Sequence, residues 1–140
     1  MLFPENITLE FLNGLGKNNM TEYLGIQFTE IGVDFLTASM PVDHRTKQPL
    51  GLLHGGANLV LAETLGSVAG MLTVKDKGQF CVGLEINANH LKSVRSGQVS
   101  GVAKPIHLGQ KTQVWEIKIY SEENALTCIS RITLAILDKK

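Results

Sequence analysis

His54-Gly55-Gly56-Ala57-Asn58-Leu59-Val60-Leu61-Ala62-Glu63-Thr64-Leu65-Gly66-Ser67-Val68-Ala69-Gly70-Met71-Leu72-Thr73-Val74 is the one long helix-forming stretch of this chain. Val60, Leu61, Thr64, Leu65, Val68, Met71 and Leu72 recur at spacings of three and four, which predicts a helix from about residue 56 to residue 74. Everything around it reads as strand. Upstream, residues 23–31 form one strand-like run. After the turn Gly32-Val33-Asp34, Leu36, Ala38 and Met40 share one face of a second run, with Thr37 and Ser39 on the other. Downstream, runs at 80–90, 97–104, 112–120 and 126–137 are separated by Ser96-Gly97, Leu108-Gly109 and Glu122-Glu123-Asn124. A short helix over 9–15, capped by Thr8, stands in front. Mostly consecutive strands with one segregated helix predict an α+β fold, an antiparallel sheet wrapped around one long helix. No linker or repeat divides the chain, so residues 1–140 read as a single domain.

Composition narrows the function classes. The chain has 140 residues, 44% of them hydrophobic and 19% charged, as a globular domain has. Thirteen basic residues balance thirteen acidic ones, so no global positive field exists for nucleic acid or anionic lipid. Cys81 and Cys128 are far apart and in no CxxC pair; they read as free thiols suited to a reducing cytoplasm. No basic and then apolar leader opens the chain, and no apolar run approaches the ~20 residues of a membrane span. His44, His54, His90 and His107 lack metal-ligand spacing, so no metal is expected. Ser67 lies in no GxSxG elbow, and the glycines form neither a P-loop nor a GxGxxG turn.

The chemistry concentrates at the start of the long helix. Gly55 and Gly56 leave the first amide N–H groups uncovered, at the positive end of the helix dipole. A carbonyl oxygen gaining charge can dock there, although an ordinary glycine-rich helix entry has the same sequence. Two turns on stands Glu63, with Gly66, Ser67 and Gly70 at i+3, i+4 and i+7. Two glycines within a helix cost about 1 kcal/mol each against alanine, which suggests that a helix or a thin ligand packs closely there. Glu63 reads either as a solvated or ion-paired surface residue or as a general base or nucleophile, with Ser67 holding a water. Partial burial would make it a better base.

The stretch from Pro41-Val42-Asp43-His44-Arg45-Thr46-Lys47-Gln48-Pro49-Leu50-Gly51 through His54-Gly55-Gly56 and Glu63, with Gly83-Leu84-Glu85-Ile86-Asn87-Ala88-Asn89-His90, resembles the hotdog-fold acyl-CoA thioesterases over nearly the whole chain. Within that family it resembles the bacterial thioesterases of menaquinone synthesis that act on 1,4-dihydroxy-2-naphthoyl-CoA, and the proofreading thioesterases of enterobactin synthesis. The resemblance implies a hotdog fold, and hydrolysis of an aromatic acyl-CoA with CoA as part of the substrate rather than a cofactor. It implies a homotetramer built as a dimer of dimers, with each site at a subunit interface. It implies Glu63 as the catalytic acid, Gly55 as backbone donor to the thioester oxygen, Gln48 and His54 as polar partners, and Ser67 as the water-positioning hydroxyl. Gly83, His90, Lys92, Ser93, His107, Leu108, Gly109 and Gln110 match CoA-binding positions, to which Lys111 adds a cation.

Among the residues themselves, Lys92, Arg95, Lys104 and Lys111 read either as partners for CoA phosphates or as a solvated basic rim. Lys92 stands where relatives often carry Arg, which keeps the charge and loses the bidentate fork. The apolar helix face and Met71 are candidates for the acyl pocket or for plain core. Three further readings stay open: a proofreading enzyme on an aryl-carrier protein, a hydratase or dehydratase pairing His54 with Glu63, and a non-catalytic acyl-CoA binding domain.

Overall fold

The structure, a computed structural model, describes residues 1–140. Helix α1 (Leu9–Leu15) starts where expected, with Thr8 Oγ1 accepting from Phe11 N–H at 3.1 Å. A second short helix, α2 (Met20–Tyr23), replaces the first part of the strand expected at 23–31. The Asn19 side chain caps it by accepting from Thr21 N–H at 3.1 Å, and Gly25 then turns the chain with φ +71°. A left-handed residue between Tyr23 and Ile26 is incompatible with a continuous strand. Strand β1 (Gln27–Ile31) therefore begins four residues later than expected.

The rest follows in the order β2 (Leu36–Pro41), α3 (Gly55–Val74), a 3-10 turn (Lys75–Lys77), β3 (Gln79–His90), β4 (Gln98–Leu108), β5 (Thr112–Ser121) and β6 (Leu126–Asp138). The strands form one six-stranded sheet in the order β1-β2-β4-β5-β6-β3, with every neighbouring pair antiparallel. β4 runs past the expected end at Lys104 to Leu108. The last β2–β4 pair is Leu36 with Ala103, so beyond it β4 has only β5 beside it, and Pro105 sits in a half-ladder that does not need its missing N–H.

α3 lies against β2, β3, β4, β5 and β6, so the sheet wraps it. Leu61, Leu65 and Leu72 meet Trp115, Ile117, Ile119, Ile132 and Leu134 in a core where each is at most 1% exposed. The glycines of α3 settle what packs closely there: it is the sheet. A Cβ on Gly66 would stand 2.5 Å from Ile132 Cγ2, and one on Gly70 would stand 2.3 Å from Leu134 Cδ1. The interlock is mutual, since a Cβ on Gly101 of β4 would stand 2.6 Å from Leu65 Cδ1. Further along α3, Trp115 Nε1–H donates to Gln113 Oε1 (2.9 Å), Gln113 Nε2 donates to Thr73 Oγ1 (2.7 Å), and Thr73 donates to Gly70 O (2.7 Å). This chain of bonds satisfies the polar groups buried in that part of the core.

Contrary to the sequence expectation, Gly55–Lys77 is long and apolar enough by length and composition to cross a membrane. More than half of it is buried within the fold, because the same apolar surface that would meet lipid meets the sheet. Both cysteines are free; Cys128 is buried, Cys81 is half-buried, and burial pushes both thiols up.

Candidate active site

His54 is the N-cap of α3. Its backbone carbonyl accepts from Ala57 N–H (3.0 Å) and Asn58 N–H (3.3 Å), and its Nδ1 accepts from Gly56 N–H at 2.7 Å. The amide pair expected at Gly55 and Gly56 is thus reduced to one. The His54 ring folds back on Gly56, and only Gly55 N–H is left without an acceptor in the chain. Because Nδ1 accepts, the proton of neutral His54 sits on Nε2, facing away from the helix.

The loop before the helix carries Gln48 to the same place. Lys47 bridges to Leu53, Gln48 N–H donates to Leu52 O (2.8 Å), and Gly51 turns the tip with φ +79°. Gln48 Oε1 accepts from Leu50 N–H, which leaves its Nε2 as a free donor. From the other side, the end of β3 brings His90, whose Nε2 lies 2.8 Å from where a Gly55 Cβ would stand. Gln48, Gly55, Asn58, His90, Lys92 and Ser93 line one cavity of about 350 Å³.

Glu63 and Ser67 line a different cavity, of about 310 Å³. Leu15, Thr21, Phe28 and Val68 are among its walls; Met71 is not, and packs on the core instead. The Glu63 carboxylate makes no ion pair. It lies against β3, with Oε1 3.0 Å from where a Gly83 Cβ would stand. Gly83 is therefore at the carboxylate, where a register slip between Gly83 and Glu85 leaves Leu84 bulged out of the ladder. The partial burial expected for Glu63 is not supplied by its own chain. β3 is an edge strand with nothing beyond it, and Glu63 is exposed.

The third group is at the opposite end of α3. Leu108, Gly109, Gln110 and Lys111 line a cavity of about 920 Å³ with Lys77, Gln79 and Gln113, and the His107 ring covers Gly109. The expected basic rim is likewise divided. Lys92 and Arg95 share a small cavity, Lys111 is in this third group, and Lys104 lies over the Phe35 ring at 5.7 Å.

One helix thus carries two groups of the expected site residues that do not meet. Gly55 and Glu63 are eight residues apart, about 12 Å along the axis at 1.5 Å per residue. A single carbonyl cannot touch the Gly55 N–H and the Glu63 carboxylate of the same chain. The sequence reading also passed over Asn58, a polar residue on the buried face of α3 that touches His90, and over Leu15, Thr21 and Phe28, which wall the Glu63 cavity. Asn58 did carry a signal, as an amide among apolar helix positions; the walls come from three separate segments and carried none.

The family model of the thioesterase superfamily matches residues 50–128. The chain is 58% identical to a 1,4-dihydroxy-2-naphthoyl-CoA hydrolase of Escherichia coli, over 98% of this chain and 100% of that one. It is 54% identical to the proofreading thioesterase EntH of Cronobacter sakazakii, over 98% of this chain and 99% of that one. The solved structure of a thioesterase from Haemophilus influenzae superposes with a TM-score of 0.95 at 52% identity, over 99% of this chain and 96% of that one.

Proposed function

The chain belongs to the thioesterase superfamily, and on that premise we propose that it hydrolyses an aromatic acyl-CoA, with 1,4-dihydroxy-2-naphthoyl-CoA as the leading substrate. The observation that carries the reading is the Glu63 carboxylate, unpaired, beside Ser67 and at the wall of a cavity lined with Leu15, Phe28 and Val68. Such a cavity suits a flat apolar acyl group with its reactive carbon at the polar wall. Glu63 either takes a proton from a water held by Ser67 as that water adds to the thioester carbon, or adds to the carbon itself to give an anhydride that water then cleaves; in both routes the carbonyl oxygen gains charge, the C–S bond breaks, and the acid and the CoA thiol leave. A thiolate leaves with little need of protonation, so one carboxylate and one set of donors suffice.

The 12 Å separation calls for two chains. The β3 edge offers twelve residues of unpaired backbone with Val82 and Leu84 exposed, which is a template for pairing. Antiparallel pairing of two β3 strands centred between Ile86 and Asn87 sets Gly83 opposite His90 of the partner subunit. Glu63 then faces Gly55 of the partner subunit, and the Gln48, His54, Gly55 group acts on a carbonyl that Glu63 attacks. Such pairing buries Glu63 as well. Two of these dimers joined give the tetramer that the resemblance implies. Lys92, Ser93 and the 107–111 turn remain the proposed CoA contacts, residues 1–140 one domain, and the reducing cytoplasm the compartment suited to two free thiols.

The test is thiol release from a panel of acyl-CoA esters and acyl-loaded carrier protein, comparing the native chain with Glu63→Gln. Fast cleavage of aryl-CoA esters, falling ~10³-fold or more in the variant, supports the proposal; that is about 4 kcal/mol of barrier. Preference for the loaded carrier moves the role to proofreading, in keeping with the similarity to EntH. No thiol from any ester, or an equally active variant, refutes it and returns the dehydratase and binding readings.

A further inference from the structure

Asn58 is 5% exposed, and its Nδ2 lies 3.3 Å from His90 Nδ1, across from the edge strand to the central helix. Its Oδ1 is buried with no partner at all. An orphaned acceptor inside a fold is unfavourable, and native proteins keep few of them. In the orientation the structure gives, the amide presents Nδ2 to the ring and Oδ1 away from it. Asn58 therefore donates and His90 Nδ1 accepts, which puts the proton of the neutral ring on Nε2. That Nε2 lies 2.8 Å from where a Gly55 Cβ would stand, and Gly55, His90 and Gln48 line the same cavity.

We propose that Asn58 is a positioning residue that fixes the tautomer and orientation of His90, so that its Nε2–H joins Gly55 N–H as a donor to the thioester oxygen as it gains charge. The orphaned Oδ1 is the consequence of aiming the amide at the ring. The proposal rests on the thioesterase reading for its kinetic part alone. Gly55 supplies one donor; a second, on a ring packed against the first, completes a pair that needs no movement during the reaction.

The experiment compares native protein, Asn58→Leu, His90→Ala and the double variant by steady-state thiol release, and follows His90 by ¹⁵N-edited imidazole spectra. The chain has four histidines, and His90→Ala assigns the ring by its missing signals. The native spectrum should show His90 as the Nε2–H tautomer, and Asn58→Leu should mix the two tautomers. In the same variant kcat should fall ~10-fold with KM changed less than ~3-fold, and the loss should vanish in the His90→Ala background. A native Nδ1–H tautomer, a tautomer unmoved by the substitution, or kinetic losses that add independently would each overturn the proposal. If Asn58→Leu does not fold, Asn58→Asp tests the same contact, because a carboxylate there accepts from Nδ1–H and holds the ring doubly protonated to higher pH; an unmoved His90 titration counts against it. If the native protein cleaves no thioester, the functional reading fails on its own, and the ring spectra still decide whether Asn58 sets His90.

Discussion

Replacing Gly83 by alanine separates two roles for one residue. The resemblance makes it a CoA contact, and the structure puts it against the Glu63 carboxylate. The added methyl would stand 3.0 Å from Glu63 Oε1 and 3.9 Å from Ile132 Cδ1. The second contact is comfortable. The first is short by roughly 0.4 Å of an ordinary carbon–oxygen approach, taking the lower end of van der Waals separations. The backbone of β3 is held by β6, whereas the Glu63 side chain ends in free torsions, so the carboxylate gives way. A reacting group displaced by 1 Å loses about 10²-fold, so a displacement of ~0.4 Å costs roughly 5- to 10-fold in kcat. KM should hold, because nothing on the CoA side has moved. Stability should hold or rise, since a strand glycine gives up about 0.5–1 kcal/mol relative to alanine. Steady-state thiol release and a thermal melt measure all three quantities. A raised KM with unchanged kcat would refute the reasoning and return Gly83 to the CoA contacts.

Gly66→Ala should lower stability by about 1–2 kcal/mol in urea titration, because its methyl meets Ile132 Cγ2 at 2.5 Å and overpacking outweighs the ~1 kcal/mol helical gain. Gly14→Ala, with nothing within 4 Å of the new methyl, should instead raise it by about 0.5–1 kcal/mol; equal effects at the two sites would contradict the interlock. Trp115→Phe removes the donor 2.9 Å from buried Gln113 Oε1 and should cost about 1–3 kcal/mol, read as a shifted urea midpoint with the slope unchanged. Asp43 is held down at about 2, from 3.8, chiefly by the Arg45 side chain, which donates to it through Nη2 at 2.8 Å and Nε at 3.1 Å. Its folded value lies below its unfolded one, so the pair stabilises the loop fully above pH 3.8 and is lost as pH falls through about 2. Carboxyl ¹³C titration should show that midpoint, and Arg45→Met should return it toward 3.8; a midpoint near 3.8 in the native protein would contradict the pairing.

Much of this architecture is written locally. Thr8, the glycine pair that opens α3 and the alternation of Leu36, Ala38 and Met40 each act through neighbours in sequence, and each was legible. One departure is local, and the others came where distant segments decide. Residues 23–26 have a strand's composition, and what ends that reading is the Asn19 cap together with a left-handed Gly25. Pro105 lies just past the expected end of β4 at Lys104, and the strand continues through it because β2 pairs no further than Leu36 with Ala103, leaving a one-sided ladder. Gly66 and Gly70 announced a close neighbour without naming it, because Ile132 and Leu134 lie more than sixty residues away. The same holds at the site. Glutamate, glycine and serine types were legible, but their division among three cavities depends on helical rise and on which strand is the edge. Asn58 went unread because its partner, His90, arrives from another element.

The position of β3 also governs when the protein can fold. Although it is the first strand made after α3, β3 pairs with β6 and no other strand of its own chain. During synthesis the helix and the first half of the sheet exist well before Leu126–Asp138 emerges to hold β3 in place. Closure is therefore a late event spanning distant parts of the chain, of the kind that slows folding and leaves strand edges open meanwhile. A nascent chain arrested before residue 126 would hold β3 unpaired, and the strand proposed to join subunits would then be the one most prone to aggregate.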